Sequence, residues 1–292
     1  ISVSQLVSPC AVVSVKGQCT KTPGKCLPAE HRSVEDLEQE NASLLAELPP
    51  ASLEAGAVLA ERARTLGNEN LDTLRSINNL GSVLWAQGKY DEAEPLLREA
   101  LEASRRTLGD EHPDTLISIN NLGLLLHPQG KLDEALESYQ LALEISRETG
   151  NKREEAITRG NMGDALFALE RFDEAEETLQ DAISVLEEVG AVTAAGAFRG
   201  SLAWLLASQG DLEEAHVLLQ AGEPQVGSHR LELGKFLCKK ARVCLLQDNS
   251  AEAQRHLERA KAIRSDLGST KESALGQAIV ELEILLEETR PG

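Results

Sequence analysis

The sequence predicts an all-α protein, a right-handed superhelix of stacked helix-turn-helix repeats, and three observations predict it. The first is a motif that returns. Ser76-Ile77-Asn78-Asn79-Leu80-Gly81, then Gly88-Lys89-Tyr90-Asp91-Glu92-Ala93, reappears as Ser118-Ile119-Asn120-Asn121-Leu122-Gly123, then Gly130-Lys131-Leu132-Asp133-Glu134-Ala135. A third copy keeps Asn161-Met162-Gly163 and Arg171-Phe172-Asp173-Glu174-Ala175, a fourth keeps Leu202-Ala203 and Gly210-Asp211-Leu212-Glu213-Glu214-Ala215, and a fifth is reduced to Ala241 and Ala253. The second observation is the period. The motif alanines stand at 93, 135, 175, 215 and 253, steps of 42, 40, 40 and 38 residues, and self-similarity at such a period marks stacked units that bury their apolar faces against one another. The third is composition. Aromatic residues make up 3% of 292, a poor supply for one large core, whereas Ala- and Leu-rich hairpins packing on their neighbours need no such core.

In chain order, residues 1–32 match no repeat and mix Ser, Thr, Pro and Gly with a short apolar run at 10–15. They are expected to form a disordered or loosely packed arm. The start at Ile1 implies a fragment or a processed chain. Cys10, Cys19 and Cys26 lie nine and seven residues apart, without the close pairs that zinc sites use, so they read as free thiols. Residues 33–67 are expected to hold N-terminal helices with an incomplete repeat: Ser33 caps a helix over 33–48, Pro49-Pro50 ends it, and Arg64-Thr65-Leu66-Gly67 echoes Arg106-Thr107-Leu108-Gly109.

Five repeats occupy 68–268. In the first, Ile77, Leu80 and Leu84, then Ala93, Leu97, Ala100 and Leu101, recur at three- and four-residue spacing, which predicts two amphipathic helices. The small pairs Gly81/Ala93, Gly123/Ala135, Gly163/Ala175, Ala203/Ala215 and Ala241/Ala253 fall where the two helices must approach closely. Gly88, Gly130 and Gly210 occupy the turns, with Glu170 and Asp248 in the other two copies. Glycines at 67, 109, 150, 190, 227 and 268 are expected to close the second helices. Pro128 is expected to end its helix early or kink it. Residues 269–292 comprise a capping helix, read over 271–288, and a tail.

The formal charge is -19, and residues 1–32 are net basic, so the acidity lies in the repeats; nucleic-acid binding is disfavoured. No stretch approaches the roughly 18 consecutive apolar residues of a membrane span. Thiols without a disulfide framework suit a reducing compartment, hence a cytoplasmic location. A phosphate loop, a zinc-binding His-Glu helix and a nucleophile elbow are all missing from the sequence. The histidines are scattered over different repeats, and acid pairs such as Asp91/Glu92 recur at helix starts, as capping residues do. No catalytic residue, metal or cofactor is therefore expected, and Cys238 and Cys244 read as small core residues.

Asn78-Asn79-Leu80-Gly81, the run from Gln87 through Gly88-Lys89-Tyr90-Asp91-Glu92-Ala93 to Leu96, and Thr107-Leu108-Gly109-Asp110-Glu111-His112-Pro113-Asp114 resemble the tetratricopeptide repeat, in the longer form found in kinesin light chains. The resemblance covers roughly residues 52–288. It implies that first helices line a concave groove through positions two, five, six, nine and twelve, counting Gly81 as position eight. Position six then reads Asn79, Asn121, Asn161, Ser201, Lys239, and position five begins Asn78, Asn120. An amide both donates and accepts, so a column of asparagines can satisfy an extended peptide backbone without demanding one side-chain sequence. Trp85 and Phe167 at position twelve and Trp204 at position nine are aromatic anchors, while Arg75, Lys235, Lys239 and Arg242 add positive charge. The implied function is a noncatalytic scaffold that binds a protein or peptide ligand, with a kinesin light chain-like role joining cargo to a motor complex. The alternative is a repeat domain of a larger signalling protein whose kinase or nucleotide-binding ATPase part lies elsewhere.

Overall fold

The computed structural model describes residues 71–289; the arm, the helices expected over 33–66 and the last three residues lie outside them. The described residues form eleven α-helices: α1 (Leu71–Ala86), α2 (Tyr90–Leu108), α3 (Pro113–Leu126), α4 (Leu132–Glu148), α5 (Lys152–Ala168), α6 (Phe172–Glu188), α7 (Val192–Gln209), α8 (Leu212–Val226), α9 (Arg230–Leu246), α10 (Ser250–Asp266) and α11 (Ala274–Glu288). Odd-numbered helices are the first helices of successive hairpins, even-numbered ones the second, and α11 packs on α9 and α10 at the C-terminal end. The stack is an all-α superhelix.

Each hairpin turn uses one device. A left-handed residue (Gly88, Gly130, Glu170, Gly210 or Asp248) reverses the chain, and the next residue's N–H donates to a carbonyl five residues back, as in Lys89 to Leu84 at 2.9 Å and Asn249 to Cys244 at 2.9 Å. Such a bond satisfies a carbonyl that the helix end leaves unpaired. Between hairpins, residues 109, 150, 190 and 268 also have positive φ. Gly227 differs from the expectation, with φ -58: Pro224 sits in the last turn of α8, and His229 N–H bonds back to Val226 O, so the exit stays right-handed. Side-chain caps set the next starts. His112 Nδ1 accepts from Asp114 N–H, Asn151 Oδ1 from Glu154 N–H, and Ser273 Oγ from Gly276 N–H. This last cap explains why α11 begins at Ala274 and not near 271. As expected for Pro128, α3 stops at Leu126, two positions earlier than α1 and α5 in the repeat register.

The small residues of the first helices have a definite physical reason. A Cβ on Gly81, Gly123 or Gly163 would stand 2.6, 2.5 or 2.7 Å from the side chain of Leu97, Tyr139 or Leu179. These partners lie one turn beyond the motif alanines. Leu97, Tyr139, Leu179, Leu219 and Leu257 form one row, each at most 3% exposed. The glycine therefore makes room for this large residue, while the fully buried alanines let the helix axes approach. One core runs from Leu84 to Val243, and a second joins α9, α10 and α11 through Leu237, Leu257, Leu275 and Ile279. Cys238 and Cys244 are buried in this second core, and burial pushes the Cys238 thiol up to about 12.

Two members of the core carry unmet polar atoms, and each makes a prediction. The Tyr139 hydroxyl is buried without a hydrogen-bond partner, so Tyr139→Phe is expected to leave stability unchanged or to raise it by about 1 kcal/mol, read as the thermal unfolding midpoint. His256 on α10 is buried with neither ring nitrogen in a hydrogen bond and with Nε2 3.5 Å from the Glu252 carboxylate. Burial lowers its affinity for a proton, Lys240 adds to the effect and Glu252 opposes it. As pH falls below the unfolded-state value of about 6.5, the unfolded chain takes up this proton first, so stability is full above that pH and declines below it. The urea midpoint should drop between about pH 7.5 and about pH 5.5, and less so in His256→Gln.

Candidate functional groove

The asparagines expected on the groove lie on adjacent first helices. Asn78 and Asn120 are buried, and Asn79, Asn121 and Asn161 half-buried. Asn121 Nδ2 donates to Ser82 Oγ on α1 at 3.2 Å, and Asn161 Nδ2 donates to Asn120 Oδ1 on α3 at 3.3 Å. Lys239 at the same position of α9 donates to Ser201 Oγ on α7 at 2.5 Å. The row thus links α3 to α1, α5 to α3 and α9 to α7. Arg75 closes the α1–α3 contact with two bonds to Asp114, at 2.8 and 3.1 Å.

The aromatic and cationic residues come together further along the same helices. The Phe167 and Trp204 rings meet edge to face with centroids 4.9 Å apart, and Phe172 adds a tilted ring 5.9 Å from Phe167. The Arg242 guanidinium lies 4.4 Å from the Trp204 centroid and pairs with Glu281 of α11. Phe167, Trp204, Arg242 and Glu281 therefore form one ladder from α5 to α11. Trp85 stands apart from it, covered by Lys235 of α9 at 5.8 Å, with its indole N–H buried and unpartnered.

Charged side chains of α5 and α9 also come close. Burial holds His127, on the residue just after α3, below its ordinary pKa; Asp164 of α5 opposes the shift and Lys239 of α9 adds to it. Lys239 Nζ is 3.9 Å from Asp164 Oδ2. Sequence reasoning sets His127 aside and passes over Asp164 and Glu281. The repeat register holds a signal for two of them, since His127 is at position twelve and Asp164 at position nine, but Glu281 lies beyond the five repeats. Among the described residues no cluster of three metal-ligating side chains occurs, and no helix is long and apolar enough to cross a membrane. What this arrangement offers is hydrogen bonding, ring stacking and positive charge within an acidic chain.

The tetratricopeptide repeat pattern matches residues 72–148, 118–188 and 154–224, and a further tetratricopeptide repeat pattern matches 237–259. No curated protein matches the chain by sequence. Among solved structures it is similar to BtubC (BKLC) from P. vanneervenii, at 22% identity over 80% of this chain and 93% of that one, with a TM-score of 0.56. It is similar to a point-substituted form of the nearly identical kinesin light chain-type TPR-like repeats of Podosopora anserina, at 23% identity over 67% and 96% of the two chains, TM-score 0.50. A Rap protein complexed with Competence and Sporulation Factor is similar at 15% identity over 88% and 74%, TM-score 0.59. Likeness at these identities carries the fold, and the repeat patterns carry the family. The chain belongs to the tetratricopeptide repeat family, and its fold is similar to that of kinesin light chain-type repeats.

Proposed function

We propose that this protein is a noncatalytic scaffold that binds a peptide or protein segment along its groove. The observation that carries the reading is the series of half-buried amides, rings and cations on successive first helices, from Asn79 through Asn121, Asn161, Phe167 and Trp204 to Lys239 and Arg242. Such a row offers an extended chain polar pairing at each repeat, with aromatic anchors in between. The likeness to a Rap protein solved with a bound factor supports it at the level of architecture. A narrower reading, in which the scaffold serves as a cytoplasmic cargo adaptor of a kinesin motor complex, draws support from the kinesin light chain resemblance of the repeats.

The test is made on a partner identified by affinity capture and then reduced to its binding segment. Asn79→Ala with Asn121→Ala should weaken this segment roughly five- to hundredfold, since each lost hydrogen bond contributes about 0.5–1.5 kcal/mol. Alanine favours helix, so the melting temperature should barely move. Asn121→Ala also removes the bond to Ser82, and Asn79→Ala alone separates ligand contact from this link. If the double variant melts much earlier while its folded fraction binds normally, the asparagines tie helices together and the groove reading fails. Motor association is read separately, by co-sedimentation with kinesin heavy chain.

A further inference from the structure

We propose that the first described hairpin, α1 and α2, and the C-terminal helices α9 and α11 form a latch that holds the groove closed. The superhelix curves far enough for the two ends of its described part to touch. The Tyr90 hydroxyl, at the start of α2, donates to Gln277 Oε1 of α11 at 2.7 Å across 187 residues of sequence. The turn before it presses on the loop before α11: a Cβ on Gly88 would lie 1.7 Å from the Glu272 carbonyl oxygen and 2.9 Å from the Glu272 Cβ. On the groove side, Lys235 of α9 covers the Trp85 ring of α1. These three contacts make one seam from the turn to the groove wall.

The repeats supply their own control for the meaning of Gly88. Gly88 and Gly130 are equivalent turn residues with φ 76 and 74, yet a Cβ on Gly130 would meet nothing within 4 Å. Glu170 and Asp248 hold the same left-handed conformation with side chains attached. The turn itself therefore tolerates a side chain, and it is the seam that requires glycine at 88. The seam is also unlike the interfaces between neighbouring repeats. Those bury rows of Leu and Ala, whereas the seam rests on one neutral hydrogen bond, one cation over a ring and one close backbone approach. Closure leaves the Trp85 N–H buried without a partner, a donor that opening would satisfy. A contact so small and polar is made and broken more easily than an apolar one. Separating the ends requires a slight change of superhelical pitch shared among the hairpin interfaces, and it uncovers Trp85 while Lys235 keeps its 2.8 Å bond to Glu232. The latch governs access to the groove, and its test needs no ligand.

The experiment uses the full chain with Trp204→Phe, which leaves Trp85 as the sole reporter of the two tryptophans. Gly88→Asn, Gly130→Asn and Tyr90→Phe are compared by acrylamide quenching and by the radius of gyration in solution scattering. Asparagine tolerates positive φ, so the first two variants strain the backbone equally and differ in the clash with Glu272. The expected result is at least a twofold larger quenching constant and an increased radius in Gly88→Asn, neither change in Gly130→Asn, and a smaller rise in quenching in Tyr90→Phe, all with unchanged helical circular dichroism. Equal behaviour of the two glycine variants overturns the proposal, as does a Trp85 already freely quenched in the parent. If Gly88→Asn fails to fold, Tyr90→Phe decides: increased quenching supports the latch, and quenching identical to the parent's sinks it.

Discussion

Phe236→Ala is expected to lower stability by about 3–5 kcal/mol, the range for emptying a buried aromatic site, and to split unfolding into two steps. The ring is 1% exposed on α9. It occupies space that two glycines leave for it: a Cβ on Gly200 of α7 or on Gly222 of α8 would stand 2.8 Å from its edge. Neighbours without side chains cannot relax into the void, so little of the loss is recovered. The ring sits where α7, α8 and α9 meet, the junction of the fourth and fifth repeats. In a stack whose stability is a sum of repeat and nearest-interface terms, a lesion there should uncouple α9, α10 and α11 from the rest. Urea denaturation followed by circular dichroism should show an early partial transition before the main one. A single transition displaced no further than in Val217→Ala, an exposed control on α8, would show that the interface does not depend on this ring.

Trp204→Ala is expected to weaken binding of a groove ligand by about 2–4 kcal/mol, roughly 30- to 1,000-fold. The indole is the centre of the inner ladder, with Phe167 against its edge and Arg242 over its face. Its removal takes away an anchor and also leaves the Arg242 guanidinium held by Glu281 alone. The fold should persist, because Trp204 is half-buried at the margin of the core and is not one of the buried row Leu97, Tyr139, Leu179, Leu219 and Leu257. Fluorescence anisotropy of a labelled partner segment measures the effect, with the exposed change Gln180→Ala on α6 as the control. An affinity reduced less than threefold would place the ligand away from this part of the groove.

Much of this protein was legible in its sequence because repetition turns weak local signals into strong ones. One glycine in a helix says little, but Gly81, Gly123 and Gly163 at one register position point to a recurring close approach. The same argument located the hairpin turns, even where Glu170 and Asp248 replace glycine. It did not reveal what the glycines accommodate. Tyr139 against Gly123 and Phe198 against Gly160 are pairings between different helices, and helical periodicity shows which face a residue lies on without naming its partner.

The sequence by itself determined the all-α class, the hairpin unit and the register of the first helices, because each depends on contacts within a unit or with its neighbour. The tertiary structure decided what depends on curvature summed over the stack. That Lys239 approaches Asp164, that Lys235 covers Trp85, and that Tyr90 reaches Gln277 follows from small rotations accumulated over five hairpins. Each rotation is set by how side chains such as Phe236 and Leu179 interlock, and no spacing in the sequence records their sum.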